Sequence, residues 1–298
     1  MSNSNDAIST PISLNPYGSL IETSKNNPAQ IQACYQAHRI TRNTQQKGRF
    51  LSPDFEGVSV DPILLRLDDP SIEPGFVDTR NSMVFIARPP QKVQALIQEC
   101  QKKLKEVIPN LWIVPKAALH ITALEIAHSR TADEIAALVP QIRAAAQPMV
   151  NHALTHRTRL IQPLLCFDAS AIAISFLPEN DSYTYHHLRR DLFDQARGSG
   201  VEMHSRYAAP SAHLTVGRFI RAKDLCTSGT LDPEKTRGLV ARIEWLNAWL
   251  EREFWPAEDG AIRDGGEWAV GEEMGLEWRV GALWYGSGGE TLMMGEGF

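Results

Sequence analysis

The sequence predicts a mixed α+β fold made of two duplicated halves, and three observations carry that reading. Strand-like and helix-like patterns run β-α-β-α-β twice along the chain. A histidine-bearing strand stands at the matching place in each half. The link between the apolar runs at 159–167 and 171–177 covers only 168–170, which favours an antiparallel contact there. Parallel neighbours need a crossover of about a dozen residues or more. The βαβ order alone would also fit a doubly wound parallel sheet.

Taken in order, residues 1–27 are rich in Ser, Asn and Pro and read as loose. PAQIQACYQAHRITRNTQQK (28–47) reads as a helix with proline in its first turn. Residues 48–80 carry Pro, Asp and Gly at short intervals and read as an extended arm with brief structured pieces. The expected division is an N-terminal extension over 1–80 and a bilobed domain over 81–298, with halves at about 81–167 and 168–298.

MVFIAR (83–88) is a short β-branched strand ended by Pro89 and Pro90. In PQKVQALIQECQKKLKEVI (90–108), Val93, Leu96, Ile97, Leu104 and Val107 recur at helical spacing. LHITALEIA (119–127) is a strand. TADEIAALVPQIRAAAQPMVNHAL (131–154) is a helix opened by a Thr131–Glu134 capping box, which Pro140 and Pro148 should kink or divide. RLIQPLLCF (159–167) is a strand.

The second half repeats the order. AIAISFL (171–177) is a strand, SYTYHHLRRDLFDQARGSG (182–200) a helix ending in glycine, and AHLTVGRFI (212–220) a strand. PEKTRGLVARIEWLNAWLEREFW (233–255) is a helix whose tryptophans read as core or interface packing. WRVGALWYG (278–286) is a strand, and TLMMGEGF (291–298) can pair with it through the Gly-Ser-Gly-Gly turn.

Chemistry concentrates in LHITALEI and AHLTVGRF. Side chains alternate faces along a strand, so His120 and Thr122 share one face while Leu119, Ile121 and Ala123 take the other. His213 and Thr215 repeat this against Ala212, Leu214 and Val216. One neutral imidazole can take a proton from an attacking hydroxyl or water, and a protonated one can give a proton to a leaving oxygen. Threonine hydroxyls can donate to phosphoryl oxygens where charge builds up. A lone H-x-T is weak, because a single strand histidine is more often a satisfied core residue. Two copies at matching points of a duplicated order carry the reading.

Around the motifs, Ser211 shares the parity of His213, and Lys116, Arg206, Tyr207, Arg218 and Arg221 flank the two strands. Ser211, Tyr207, Arg218 and Lys116 are the candidate substrate-binding residues, by ion pairing, hydrogen bonding or stacking. Arg218 has the wrong parity for the cleft unless the strand ends or twists. Phe76 and Trp112 could stack a base, although packing is the commoner role. His152 and His156 stand at helical i, i+4 spacing but read as surface histidines, and the adjacent His186 and His187 cannot share a helix face.

The formal net charge of −5 argues against a general polyanion binder while leaving room for a small nucleotide or an RNA end. Cys34, Cys100, Cys166 and Cys226 form no C-x-x-C pair, so reduced thiols and an intracellular setting, cytoplasmic or nuclear, are expected. The first residues lack the pattern of a secretory signal, and no apolar run is long enough for a membrane span. No carboxylate–histidine cluster accompanies either motif, so neither metal nor cofactor is expected.

Paired apolar–H-x-T–apolar motifs on two βαβ-type halves resemble the two-histidine (2H) phosphoesterase superfamily. That superfamily includes RNA 2′,5′-ligase-like proteins, cyclic phosphodiesterases and RNA-end-trimming exonucleases. The longer context in NPYGSLIE, QAHRITRNTQQKGRFLSPDF, GVSVDPIL, PGFVDTRN and PSAHLTVGRF resembles a fungal group labelled RNA ligase/cyclic nucleotide phosphodiesterase. The resemblance implies two lobes with antiparallel sheets facing a central cleft and helices outside. It also implies a catalytic quartet of His120, Thr122, His213 and Thr215.

The activity expected from this is metal-independent hydrolysis of a 2′,3′-cyclic phosphate, with His213 as base and His120 as acid. Two other readings stay open at this point: proton-transfer isomerisation or cyclisation of a non-phosphate metabolite, and non-catalytic binding of a nucleotide or RNA end.

Overall fold

Polar caps and prolines set most helix starts. In a computed structural model that describes residues 15–203, 208–283, 285 and 288–298, the N-terminal segment holds helices α1 (Gly18–Thr23), α2 (Pro28–Phe50) and α3 (Pro62–Asp68). Asn27 caps α2 at Gln30 N, and Asp61 caps α3 at Ile63 N and Leu64 N, each followed by a proline that has no N–H to leave unpaired. There follow β1 (Asn81–Ala87), α4 (Gln91–Lys105), β2 (Trp112–Ile113), β3 (Ile121–Arg130), α5 (Ala132–Val150), α6 (His152–Thr155) and β4 (Arg159–Phe167). The chain continues with β5 (Ala171–Pro178), α7 (Tyr185–Gly198), β6 (Ala212–Arg218), β7 (Cys226–Thr227), β8 (Thr230–Leu231) and α8 (Pro233–Phe254). It closes with β9 (Glu267–Ala269), β10 (Glu277–Gly281) and β11 (Glu290–Met294).

Every strand ladder among the described residues is antiparallel, which excludes the doubly wound parallel alternative. One sheet has the order β11-β10-β1-β3, the other β2-β6-β5-β4-β9, and β3 and β6 pack beside each other where the sheets meet. The fold is α+β, with two antiparallel sheets about a shared cleft.

The sheets do not divide the chain at 167/168, as the sequence halves suggested. β4 belongs with β5, because the turn at 168–170 is long enough only for a hairpin. Asp168 Oδ1 ties that turn by accepting from Ser170 N, Ser170 Oγ and Ala171 N. The C-terminal strands instead return to the first sheet, where Trp278 is fully buried and stacks on Phe85 with ring centroids 6.2 Å apart.

Two further expectations are corrected. α5 runs unbroken through Pro140 and Pro148, and the helix divides only at Asn151. Both prolines are exposed, and so are Ala136 and Ala144 four residues before them, so water can serve the carbonyls that lose a partner. Buried Ile135, Ile142, Ala146 and Met149 anchor α5 on both sides of Pro140. The described part of the segment expected to be loose is in fact docked: Tyr17 is 0% exposed and Asn15 Nδ2 donates to the Arg190 carbonyl.

On α8 the tryptophan stripe is only partly internal, because Trp245 is 51% exposed with Lys103 and Arg242 near its ring. His186 and His187 are both buried on different partners, Tyr17 and Tyr35 for the first, Thr184 and Asn26 for the second. His152 is half-buried among Tyr183, Asp191 and Gln195, with His156 stacked on its ring.

Candidate active site

The strand pattern that sets one histidine and one threonine on each motif also lets the fold oppose them. Leu119, Ile121 and Ala123 are buried behind β3, and Ala212, Leu214 and Val216 behind β6. This leaves His120, Thr122, His213 and Thr215 lining one cavity of about 200 Å³. His120 sits at the mouth of β3, just after a short 3-10 turn over Lys116–Ala118.

Each imidazole is oriented by a group two residues before it. His120 Nδ1–H donates to the Ala118 carbonyl at 2.8 Å, and His213 Nδ1 lies 3.0 Å from Ser211 Oγ. Nδ1 is thereby the nitrogen through which each ring is held. Burial pushes both histidines below their ordinary value of 6.5. For His120 the Ala118 carbonyl works against burial, and so does Glu277 against the nearby Arg88 and Arg279. For His213 the charges of Arg189, His120 and His38 add to burial and take it to about 4. Burial thus favours the neutral form of both imidazoles.

A second layer aims His120. Arg88 Nη1 donates to the carbonyls of Ala117 (2.8 Å) and Leu119 (3.3 Å), clamping the turn that carries the ring. Glu277 holds Arg88 in turn, with Nε to Oε1 at 2.8 Å and Nη2 to Oε2 at 3.2 Å, and its carboxylate is only 6% exposed. Behind the threonine, Tyr185 Oη donates to the Thr122 carbonyl at 3.0 Å.

Arg218 lines the cavity despite its parity. A register shift in the β5–β6 ladder pairs Ala173 with Thr215 but Ile172 with Gly217, so one extra residue of β6 intervenes and the next side chain turns back to the cleft. Gly217 leaves room there for Leu111, whose Cδ2 a Cβ would meet at 2.7 Å, so a larger residue would force that side chain to shift. A similar shift in the β1–β3 ladder places Glu125 on the cavity beside Thr122.

Ser211 joins the site as its parity implied. Lys116 does not: it is exposed and stands outside the cavity lining. Arg221 is paired with Asp68 and Asp69. Phe76 lies under the Arg66 guanidinium, 3.9 Å away. Tyr207 and Arg206 fall outside the described residues. Trp112, read mainly as packing, lines the cavity edge-on to Tyr285, with ring centroids 6.4 Å apart. Tyr285 is fixed by the N-terminal segment, since its hydroxyl donates to Asp61 at 2.6 Å and accepts from Arg80 at 3.0 Å.

The cleft continues beyond His213 into two further chambers, of about 260 and 310 Å³. α2 contributes His38, Arg39 and Arg42 to the first of them. Among the described residues no group of three or more His, Cys, Asp or Glu is placed to hold a metal ion, and no helix is long and apolar enough to cross a membrane.

No family model matches the sequence, and no curated protein matches it. Among solved structures, TT0787 of Thermus thermophilus aligns with a TM-score of 0.39 at 16% identity, over 72% of this chain and 97% of that one. Usb1 of Kluyveromyces marxianus with uridine monophosphate aligns with a TM-score of 0.38 at 13% identity, over 72% of this chain and 97% of that one.

Proposed function

We propose that this chain is a 2H phosphoesterase-like enzyme that hydrolyses a cyclic phosphodiester, the 2′,3′-cyclic phosphate of a nucleotide or RNA end. The observation that carries the reading is the pair of oppositely mounted His–Thr units on one cavity, each imidazole fixed through Nδ1.

In this mechanism the phosphoryl group lies between the two units. Thr122 and Thr215 hydroxyls donate to its non-bridging oxygens, and Arg218 supplies positive charge from the same wall. His213 Nε2 takes a proton from water, whose oxygen attacks phosphorus. The phosphorus–ribose oxygen bond breaks, and His120 Nε2–H protonates the departing oxygen. The products are a ribose hydroxyl and a phosphomonoester. His213 ends protonated and His120 neutral, and solvent exchange restores both.

Burial depresses both histidines, whereas a phosphate anion held between them favours their charged forms. The substrate therefore brings the acid into its working state. Ser211 Oγ can accept from His213 Nδ1–H throughout, stabilising the imidazolium as it forms. Trp112 and Tyr285, at the far wall, offer aromatic surface to a base.

The test is turnover of 2′,3′-cyclic nucleotides and of short RNAs ending in a cyclic phosphate, in the presence of a chelator. Conversion to a 2′- or 3′-phosphomonoester supports the reading. A folded protein that converts none of them refutes it.

A further inference from the structure

The chamber that α2 builds next to the histidine cavity has the chemistry of a second anion site. Its floor is Ala171, Ala173 and Ser175 of β5, small residues that leave about 260 Å³ open. Its other walls include Arg39 and Arg42 from α2 and Arg218 from β6. Three guanidinium groups thus face one carboxylate, Asp168, in a chain whose formal net charge is −5. That carboxylate is already engaged: Oδ1 caps the β4–β5 turn, and Oδ2 lies 3.7 Å from Arg42.

Arg39 is the telling residue. It is 3% exposed and fixed on three sides. Nε donates to Gln36 Oε1 at 2.7 Å, Nη1 donates to the Gln162 carbonyl at 2.6 Å, and the Trp255 ring lies 5.3 Å from its guanidinium carbon. Its remaining nitrogen, Nη2, is buried with no hydrogen-bond partner among the described residues. Held in this way, the Arg39 guanidinium gives the chamber wall a fixed positive charge that a bound anion would offset. Arg42, on the next turn of the same helix, is half-exposed and able to swing toward an anion. Guanidinium groups match phosphate oxygens in geometry and charge. His213 borders both this chamber and the histidine cavity, so a single ligand can occupy both.

We propose that this chamber is a second phosphate subsite, and that the preferred substrate is a nucleoside cyclic phosphate carrying a further phosphoryl group, such as a 5′-phosphate. This rests on the cyclic phosphodiesterase reading for the first phosphate. The N-terminal segment, through α2, is then what selects phosphorylated ends over bare cyclic nucleotides.

The experiment compares kcat/KM for adenosine 2′,3′-cyclic phosphate with and without a 5′-phosphate, using the full chain. Wild type, Arg42→Gln and a control on the same helix, Arg49→Gln, are measured together, with melting midpoints to verify folding. Wild type should prefer the 5′-phosphorylated substrate by about tenfold or more, the scale of one charge-assisted contact. Arg42→Gln should lower that ratio several-fold, mainly through KM, and Arg49→Gln should keep it. Equal kcat/KM for the two substrates, or a ratio unchanged in Arg42→Gln, overturns the inference while leaving the proposed function standing. Turnover of neither substrate overturns both.

Discussion

Acid should loosen the N-terminal segment through His186, and the size of the effect follows from its surroundings. His186 is 1% exposed, its Nε2–H donates to the Tyr17 carbonyl at 2.8 Å, and Tyr35 Oη donates to Nδ1 at 3.0 Å. Both nitrogens are satisfied in the neutral form alone. Burial, helped by the Arg189 charge, takes the group from 6.5 down to about 4. In the unfolded chain the imidazole accepts a proton as pH falls below about 6.5, while the folded one resists until about 4. The unfolded state therefore binds more protons across that window, and stability falls as pH falls. At about 1.4 kcal/mol for each pH unit between the two values, the loss on going to pH 4 is roughly 3 kcal/mol. Urea unfolding between pH 7 and 4.5, for wild type and His186→Gln, isolates this from the carboxylates. The stability difference between the two should shrink by roughly 1 kcal/mol per pH unit below pH 6. Parallel curves would refute the reasoning. Because His186 ties Tyr17, at the start of α1, and Tyr35 of α2 to α7, this acid-sensitive joint is also where the N-terminal helices are held to the rest of the fold.

Other consequences follow from the site. Ser211→Ala removes the hydroxyl 3.0 Å from His213 Nδ1 and should lower kcat about five- to tenfold, the value of roughly one hydrogen bond, with KM little changed; an unaltered kcat contradicts it. Glu277→Gln removes the carboxylate that favours charged His120 and leaves Arg88 and Arg279 beside it. The His120 pKa should drop further, moving the falling limb of the kcat/KM profile to lower pH, and an unmoved limb would count against His120 as the acid. Because burial holds both histidines below 6.5, binding a phosphomonoester at pH 7 should take up protons, read by calorimetry in buffers of different ionisation enthalpy. Zero uptake would show that the anion does not sit between them.

The motif residues were legible because strand alternation is local. Apolar neighbours at Leu119, Ile121, Leu214 and Val216 specify which face is buried, and so which face His120, Thr122, His213 and Thr215 present. Strand parity alone turns Arg218 away from the cleft, and the extra residue in the β5–β6 ladder that brings it back depends on which strand pairs with which, information no single strand carries. The same limit hid Arg88 and Glu277. Their pairing requires β10 to cross back to β1 from the far end of the chain, which the sequence halves did not suggest. Lys116 illustrates the converse: closeness in sequence to His120 did not bring its side chain to the cavity, because the 3-10 turn at 116–118 directs it to solvent. The role of α2 was invisible for a tertiary reason, since its packing on β4 and β5 rests on Arg39 and Asn43 reaching carbonyls more than a hundred residues away.

The most direct test is the pair of variants His120→Ala and His213→Ala, assayed on a 2′,3′-cyclic phosphate with a chelator present and folding verified by melting. Each should lose on the order of 10²- to 10⁴-fold in kcat, and the double variant little more than the worse single one, because the two imidazoles act in one proton relay. Full activity in either single variant would contradict paired-histidine catalysis.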